Sequence, residues 1–408
     1  MTTDPHPPFR SALTHALTAT QILPAPGTEA RAHSETLHRL IQQEIMAAGG
    51  HIGFAHFMQL ALYAPGLGYY SAGLHKFGAA GDFVTAPELG TLFARCLAQQ
   101  CLPLLQELGE ADLLEVGAGS GALAVDLLLA LESHGYLPRH YYILEVSADL
   151  RERQARQLRE RAPHLAARVH WLDSLPAQPL RGIVIANELL DAMPVERFRI
   201  DAQGGVQQWC VAWQGEEFVW RLAGADAALT HIVQSRLDTT TLPPGYTSEI
   251  NLRAEAWLRS LAEHLAAGVI LLIDYGYPRA EYYHAQRTDG TLLCHYRHRA
   301  HANPLTLVGL QDITSHVEFT ALAEVGTEAG LTLLGYTSQA AFLLANGITQ
   351  LAEHSAGADA RAQIVLAQEI KKLTLPQEMG ELFKVMAFGR GIHTPMTGFS
   401  LQDRRGRL

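Results

Sequence analysis

The chain has 408 residues, 48% of them hydrophobic and only 18% charged, enough to bury one large core and leave room for an added substrate domain. Its formal net charge of −10 argues against broad electrostatic attraction to nucleic acid or to an anionic membrane surface. The four cysteines include no CxxC pair, which suggests neither a disulfide framework nor a four-cysteine zinc site, and no run reaches the roughly 18 apolar residues of a membrane span.

In chain order, the first 33 residues read as a flexible tail without an apolar targeting core, so a cytoplasmic protein in a reducing compartment is expected. Helical periodicity from Glu35 to Ala48 stops at Gly49-Gly50. A second helical pattern, Ile52 to Leu62, runs into Tyr63-Ala-Pro65-Gly66-Leu-Gly68-Tyr69-Tyr70, where Pro and Gly force a turn. The loop Gly81-Asp82-Phe83-Val84-Thr85-Ala86-Pro87-Glu88 then leads into an apolar helix over 89–105. Exposed polar loops ahead of helices are common places for function.

From there the period changes. Short apolar runs at 112–116, 141–144, 169–172 and 183–186 alternate with helix-like stretches, the signature of a parallel sheet covered on both faces. Residues 198–222 alternate instead as antiparallel hairpins, helix returns over 253–265, and Gly268-Val-Ile-Leu-Leu-Ile-Asp274 is the strongest buried-strand signal in the chain. Strands at 331–335 and 382–388, flanking a helix at 359–373, complete the sheet.

Between the first core strand and its helix lies Glu115-Val-Gly117-Ala-Gly119-Ser-Gly121. The glycines permit a tight turn whose free N–H groups and helix N-terminus can hold a nucleotide-like ligand. The GxGxG spacing, tighter than the GxGxxG of dinucleotide proteins, favours the methionine end of S-adenosylmethionine and disfavours a nicotinamide-dependent oxidoreductase. Glu145, ending the next strand, is placed to reach a ribose diol, and Asp173 after the third strand could accept from the adenine amino group or simply cap a helix. The fourth strand empties into Asn187-Glu188-Leu-Leu-Asp191-Ala-Met-Pro194-Val-Glu196, which puts an amide and three acids at the sheet edge where such folds bind ligands. Cys294-His295-x2-His298-x2-His301 matches no zinc signature, and no metal is expected.

Together with Tyr142-Ile-Leu-Glu145-Val-Ser147 and Gly309-Leu-Gln-Asp312-Ile-Thr314-Ser-His316-Val-Glu318-Phe319, the 81–88, 115–121 and 187–195 segments resemble the MidA-like family of class I methyltransferases over roughly 52–391. The resemblance implies a doubly wound seven-stranded Rossmann-like core with an N-terminal helical segment and inserted substrate-binding elements. It further implies S-adenosylmethionine as donor and protein arginine as acceptor, a respiratory-complex subunit being one candidate partner. Arginine methyltransferases clamp the guanidinium between two glutamates after the fourth strand, which nominates Glu188 and Glu196, with Asp191 in reserve and His316 as proton acceptor. The cofactor set is then Glu115, Gly117, Gly119, Gly121, Glu145, Asp173 and Asn187, with Asp82, Thr85 and Glu88 closing over the methionine part.

The chain departs from the common Thr-Ser-Pro-Glu pattern by carrying Ala86, and it lacks the Asn-Pro-Pro-Tyr tetrapeptide of amino-directed DNA methyltransferases. Neither nucleic acid nor membrane is an expected partner, whereas a second copy of the chain is. An assembly chaperone keeping the same fold, or a small-molecule methyltransferase, would share these features. The expected organisation is a tail (1–33), an N-terminal helical and lid segment (34–108), a core (109–391) with insertions at about 197–262, 276–325 and 340–378, and a C-terminal tail (392–408).

Overall fold

The computed structural model describes residues 23–72, 85–356 and 359–408. Seven strands form the central sheet: β1 (Asp112–Val116), β2 (Tyr141–Leu144), β3 (Val169–Leu172), β4 (Leu180–Asn187), β5 (Leu265–Tyr277), β6 (Thr332–Ser338) and β7 (Phe383–Arg390). Their order is β6-β7-β5-β4-β1-β2-β3. β1 to β5 pair in parallel, while β7 runs antiparallel to both β5 and β6. A short pair, Gly276 with Val317 and Tyr277 with Glu318, extends β5 at its carboxyl end.

Because both faces are covered, β1 is buried at every position, which is why it reads as an unbroken apolar run apart from Asp112 and Glu115. One face packs against α3 (Leu92–Leu108), α4 (Ala122–Ser133) and Leu158 of α5 (Ala148–Arg161). The other packs against α6 (Leu252–His264) and α7 (Phe319–Glu328) through residues such as Leu258, Leu261, Phe319 and Leu322. Each fully buried Leu or Val contributes about 1.5–3 kcal/mol of transfer free energy, so these two layers are what hold the sheet flat against its helices.

A second, antiparallel sheet is built from chain segments far apart in sequence. Val206–Gln214 pairs with Glu217–Gly224, with Glu196–Ile200 and with His51–Gly53, and Glu196–Ile200 pairs onward with Thr247–Ile250. Helices α1 (Thr28–Ala47) and α2 (Phe54–Tyr63) close over it, burying Ile41, Phe57 and Met58 against Val211 and Phe218. A third sheet joins Arg299–His301, Leu293–Tyr296 and Asp312–Thr314.

Several expected boundaries shift. α1 begins at Thr28, inside the expected tail, a turn and a half ahead of its buried stripe of Ser34, Leu37, Ile41 and Ile45. The 34–108 segment divides between the two layers: α1 and α2 belong to the inserted sheet, α3 to the core. α6 and the helix at Phe319–Glu328 are core helices, although 253–262 and 319–325 fall within the expected insertions. At the C-terminus Phe399 is buried against Phe342 and Arg404 bonds to Glu381, so the expected tail is tied to the core at these points although residues 400–403 and 405–407 are exposed. Among the described residues no helix is long and apolar enough to cross a membrane.

Candidate active site

The strand order reverses between β1 and β4, and the crevice at their carboxyl ends is where open α/β sheets bind ligands. A cavity of about 250 Å³ occupies it. Its floor is the glycine turn, where Gly117, Gly119 and Gly121 all take positive φ (71°, 52° and 86°). A Cβ on Gly117 would stand 2.9 Å from Leu189 Cδ1, which the flexible leucine can relieve by shifting, so it is the φ of 71° that disfavours a side chain there. Gln154 of α5 fastens the turn: its Nε2 donates to Gly119 O at 3.0 Å and to Glu145 Oε2 at 3.3 Å, while its Oε1 accepts from Trp171 Nε1 at 2.9 Å.

Glu115 and Glu145 line the cavity from the ends of β1 and β2. Glu115 Oε2 accepts from the Tyr141 hydroxyl at 2.6 Å, and burial pushes its carboxyl up to about 7 despite that bond. Glu145 Oε1 accepts from the Ser147 N–H at 2.9 Å, leaving the carboxylate fixed at the strand tip, its pKa also raised by burial. Beside it Val146, an apolar residue, is 76% exposed and lines the cavity, a position suited to the flat face of a base.

Over the turn sits the short helix Ala86–Leu89. The Ser120 hydroxyl donates to Glu88 Oε1, and the Ala86 N–H points at Glu188 Oε1, 3.4 Å away. Thr85 and Glu88 both border the cavity; Asp82 lies outside the described residues. Glu369, from the helix Ala360–Thr374, accepts the Leu92 N–H at 2.8 Å and so anchors the start of α3 beneath this lid.

Glu188 follows β4 with φ of 49°, a left-handed conformation rare for a residue with a side chain and of the kind that clusters at functional sites. Its N–H is tied to Ile273 O at 2.9 Å, and its Oε1 also accepts from Asn187 Nδ2 at 3.3 Å. Burial, with the Asp191 carboxylate nearby, pushes Glu188 up to about 8. Asn187 Oδ1 is buried without a protein partner, and Asn187 lines the cavity, so the site presents an acceptor in need of a donor N–H.

Other expected site residues stand elsewhere. Asp191 is a loop anchor behind the cavity: its Oδ2 accepts the Tyr275 hydroxyl at 2.5 Å, while Asp274 Oδ2 holds the Leu190 and Asp191 N–H groups at 2.9 and 3.3 Å. Burial raises both aspartates. Glu196 does not border the cavity; as the first residue of an inserted strand it pairs with Ile250, and its Oε2 accepts from Gln208 Nε2 at 2.8 Å. His316 stacks on Tyr277 at 5.3 Å and 6°, and burial with Arg287 nearby lowers it to about 3, which makes it a poor proton acceptor at neutral pH. Asp173 is 90% exposed at its side chain and engaged by Arg151 at 2.6 Å, away from the cavity. Position within a loop did not distinguish these acids; what separates them is which neighbouring strand or arginine claims each carboxylate.

Four glutamates line the cavity (Glu88, Glu115, Glu145 and Glu188), and among the described lining residues there is no Lys, Arg or His. Such a site suits a cation with an apolar body and is ill suited to a pyrophosphate. The glycine turn, the exposed Val146, the Glu145 tip and the orphan Asn187 oxygen together fit an adenosyl group carrying an amino acid end.

Residues 96–337 match a family model described as "Putative S-adenosyl-L-methionine-dependent methyltransferase". Among curated proteins, the chain is 26% identical to the mitochondrial protein arginine methyltransferase NDUFAF7 homolog of Drosophila melanogaster over 91% of each chain. It is 28% identical to the mitochondrial protein arginine methyltransferase NDUFAF7 of Danio rerio over 83% of each. Among solved structures, a Burkholderia thailandensis protein bound to S-adenosyl-homocysteine is 45% identical, covers 95% of this chain and 100% of its own, and superposes with a TM-score of 0.91.

Proposed function

Because the chain belongs to the MidA-like family of methyltransferases, which use S-adenosylmethionine as donor, we propose that its acceptor is an arginine side chain of a protein partner and that Glu188 receives the guanidinium. The observation that carries this reading is the cavity wall itself, with four glutamates, two tyrosines and no basic side chain among its described residues. A cationic acceptor can enter such a wall without meeting a like charge, whereas a phosphate or carboxylate acceptor would be repelled. The names of the curated relatives above point the same way.

In this reading Gly117, Gly119, Gly121, Glu115, Glu145 and Asn187 hold the donor, with Thr85 and Glu88 above it. When bound, S-adenosylmethionine supplies an activated methyl group. The protein's task is then to align the acceptor and relieve its charge. A carboxylate accepting N–H groups on one side of a guanidinium localises the positive charge there and leaves the far nitrogen more nucleophilic. Glu188, with its carboxyl pushed up to about 8, is also able to hold the proton that the acceptor releases. Asp191 and Asp274 act through the loop, fixing where Glu188 stands. A respiratory-complex subunit is the first protein partner to test.

The test is to incubate the purified chain with isotope-labelled donor and cell lysate, hydrolyse the labelled protein and identify the modified amino acid. Label in methylarginine supports the reading; label confined to lysine, carboxyl or hydroxyl products, or to small molecules, overturns it.

A further inference from the structure

Tyr63 and Tyr70 are the only aromatic residues among the described cavity lining. Tyr63 ends α2, and the turn after it doubles back so tightly that the Tyr69 and Tyr70 N–H groups bond to Ala61 O at 2.9 Å and Leu62 O at 2.8 Å. Only glycine fits at the apex: a Cβ on Gly68 would stand 2.5 Å from the backbone nitrogens of Tyr63 and Ala64. The reversal stacks the two rings, with centroids 5.5 Å apart and planes within 22°.

Both hydroxyls are already spoken for, by different parts of the fold. Tyr63 donates to Ala192 O at 3.0 Å, in the same loop as Glu188, and Tyr70 donates to Asp312 Oδ1 at 2.9 Å, on the strand Asp312–Thr314. Burial and the Asp312 carboxylate push both phenols well above their ordinary range, so neither serves as acid or base at neutral pH. What the pair offers the cavity is therefore ring surface, held at a fixed position by the N-terminal segment, the β4 loop and the third sheet at once.

We propose that Tyr63 and Tyr70 form the acceptor-side wall of the site and select a guanidinium over an ammonium, the acceptor lying against the rings while Glu188 takes its N–H groups. A guanidinium is planar, delocalised and weakly hydrated, so it gains from an aromatic wall; a lysine ammonium is a compact, strongly hydrated point charge that gives up more water to enter. The wall also replaces the second glutamate of a two-carboxylate clamp, since Glu196 is committed to Gln208. Asp312 is then a positioning residue acting through Tyr70.

This inference rests on the arginine reading above, and the test separates the two. Labelled donor and lysate are used with wild type, Tyr63→Leu, Tyr70→Leu and Tyr63→Phe, with amino acid analysis of the product and calorimetric titration of donor in the same preparations. The expected result is at least a tenfold fall in the rate of methylarginine formation for each Leu variant, with donor Kd within twofold of wild type and most of the loss recovered by Tyr63→Phe. Leu variants that bind donor and form methylarginine at the wild-type rate overturn the wall while leaving the arginine reading intact. A wild-type product other than methylarginine overturns that reading, and the wall with it. Should the Leu variants fail to bind donor, wild-type protein decides: methylguanidinium is expected to inhibit transfer at a concentration at least tenfold below that of methylammonium, and equal inhibition overturns the proposal.

Discussion

The Ala86 N–H and the Asn187 Nδ2 converge on one oxygen, Oε1 of Glu188, at 3.4 and 3.3 Å. The carboxylate proposed to receive the acceptor thus also holds the lid helix that begins at Ala86. Glu188→Gln keeps an acceptor oxygen for both donors but removes the carboxylate that the wild type gains as pH rises through about 8, which separates the two roles. Methyl transfer is expected to fall by about 100-fold or more, the scale of losing a charge-stabilising group in an active site. Donor affinity should stay within a few-fold. Transfer at the wild-type rate in a folded Glu188→Gln protein would rule out the charge-relief mechanism.

Gly119 sits at φ of 52° in the middle of the glycine turn, with its carbonyl bonded to Gln154. A β-branched residue is strongly disfavoured there, and its branch would occupy the space where backbone approaches the ligand. Gly119→Val is therefore expected to abolish donor binding while the sheet, buried independently of this turn, stays folded. Circular dichroism and calorimetry together check this; unchanged donor affinity in the folded variant removes the turn from the cofactor site.

Glu145 and Asp173 offer a contrast between two acids that both follow core strands. Glu145 is buried, lines the cavity and is oriented by Ser147 and Gln154, whereas the Asp173 side chain is 90% exposed. Glu145→Ala is expected to weaken donor binding by about 1–3 kcal/mol, the range for hydrogen-bonding groups left unpaired in a buried site. Asp173→Asn is expected to leave it unchanged within twofold. The assignment of the ribose to Glu145 fails if both variants titrate alike, or if a deoxyribose analogue loses nothing relative to the intact donor.

Glu188 also sets a pH dependence. Its carboxyl stands at about 8 in the folded chain against an ordinary 4.5, so kcat/KM is expected to rise with pH through about 8 as the free enzyme loses that proton. The sign for stability is opposite. Between these two values the folded chain holds a proton that the unfolded chain has released, so the contribution is fully present below 4.5 and is lost as pH rises through about 8. Relative to wild type, Glu188→Gln should therefore gain thermal stability as pH goes from 6 to 9. A Tm difference that stays constant across that range contradicts the raised carboxyl.

The core was legible in the sequence because strands buried on both faces, such as β1 and β5, must read as apolar runs, and the turn that follows β1 must carry glycines where its φ values are positive. Glu188 was legible for the same reason, as a charge directly after a buried strand. His51–Gly53 was not, because three residues pairing with Val211 and its neighbours across some 160 positions leave no local pattern. Nor was the fate of Glu196 or His316: each lies in a plausible loop, and only the tertiary partners, Gln208 for one and the Tyr275 and Tyr277 rings for the other, remove it from the cavity. The tyrosine pair hides for a related reason, since Gly68 marks a turn but says nothing about what the turn stacks together.

The position of β7 has a consequence for how the chain is made. It is the last strand of the core to be synthesised, yet it lies inside the sheet, between β5 and β6, pairing with Leu271 and Leu272 on one side and Tyr336 and Thr337 on the other. Until Phe383 to Arg390 has left the ribosome, both neighbours keep an open row of N–H and C=O groups flanked by apolar side chains. Such edges invite pairing between nascent chains, and the long 13-residue β5 is the more adhesive of the two. A chain halted anywhere between β6 and β7 accordingly carries two unpaired strand edges in its core, even though the glycine turn and β1 to β4 are by then complete.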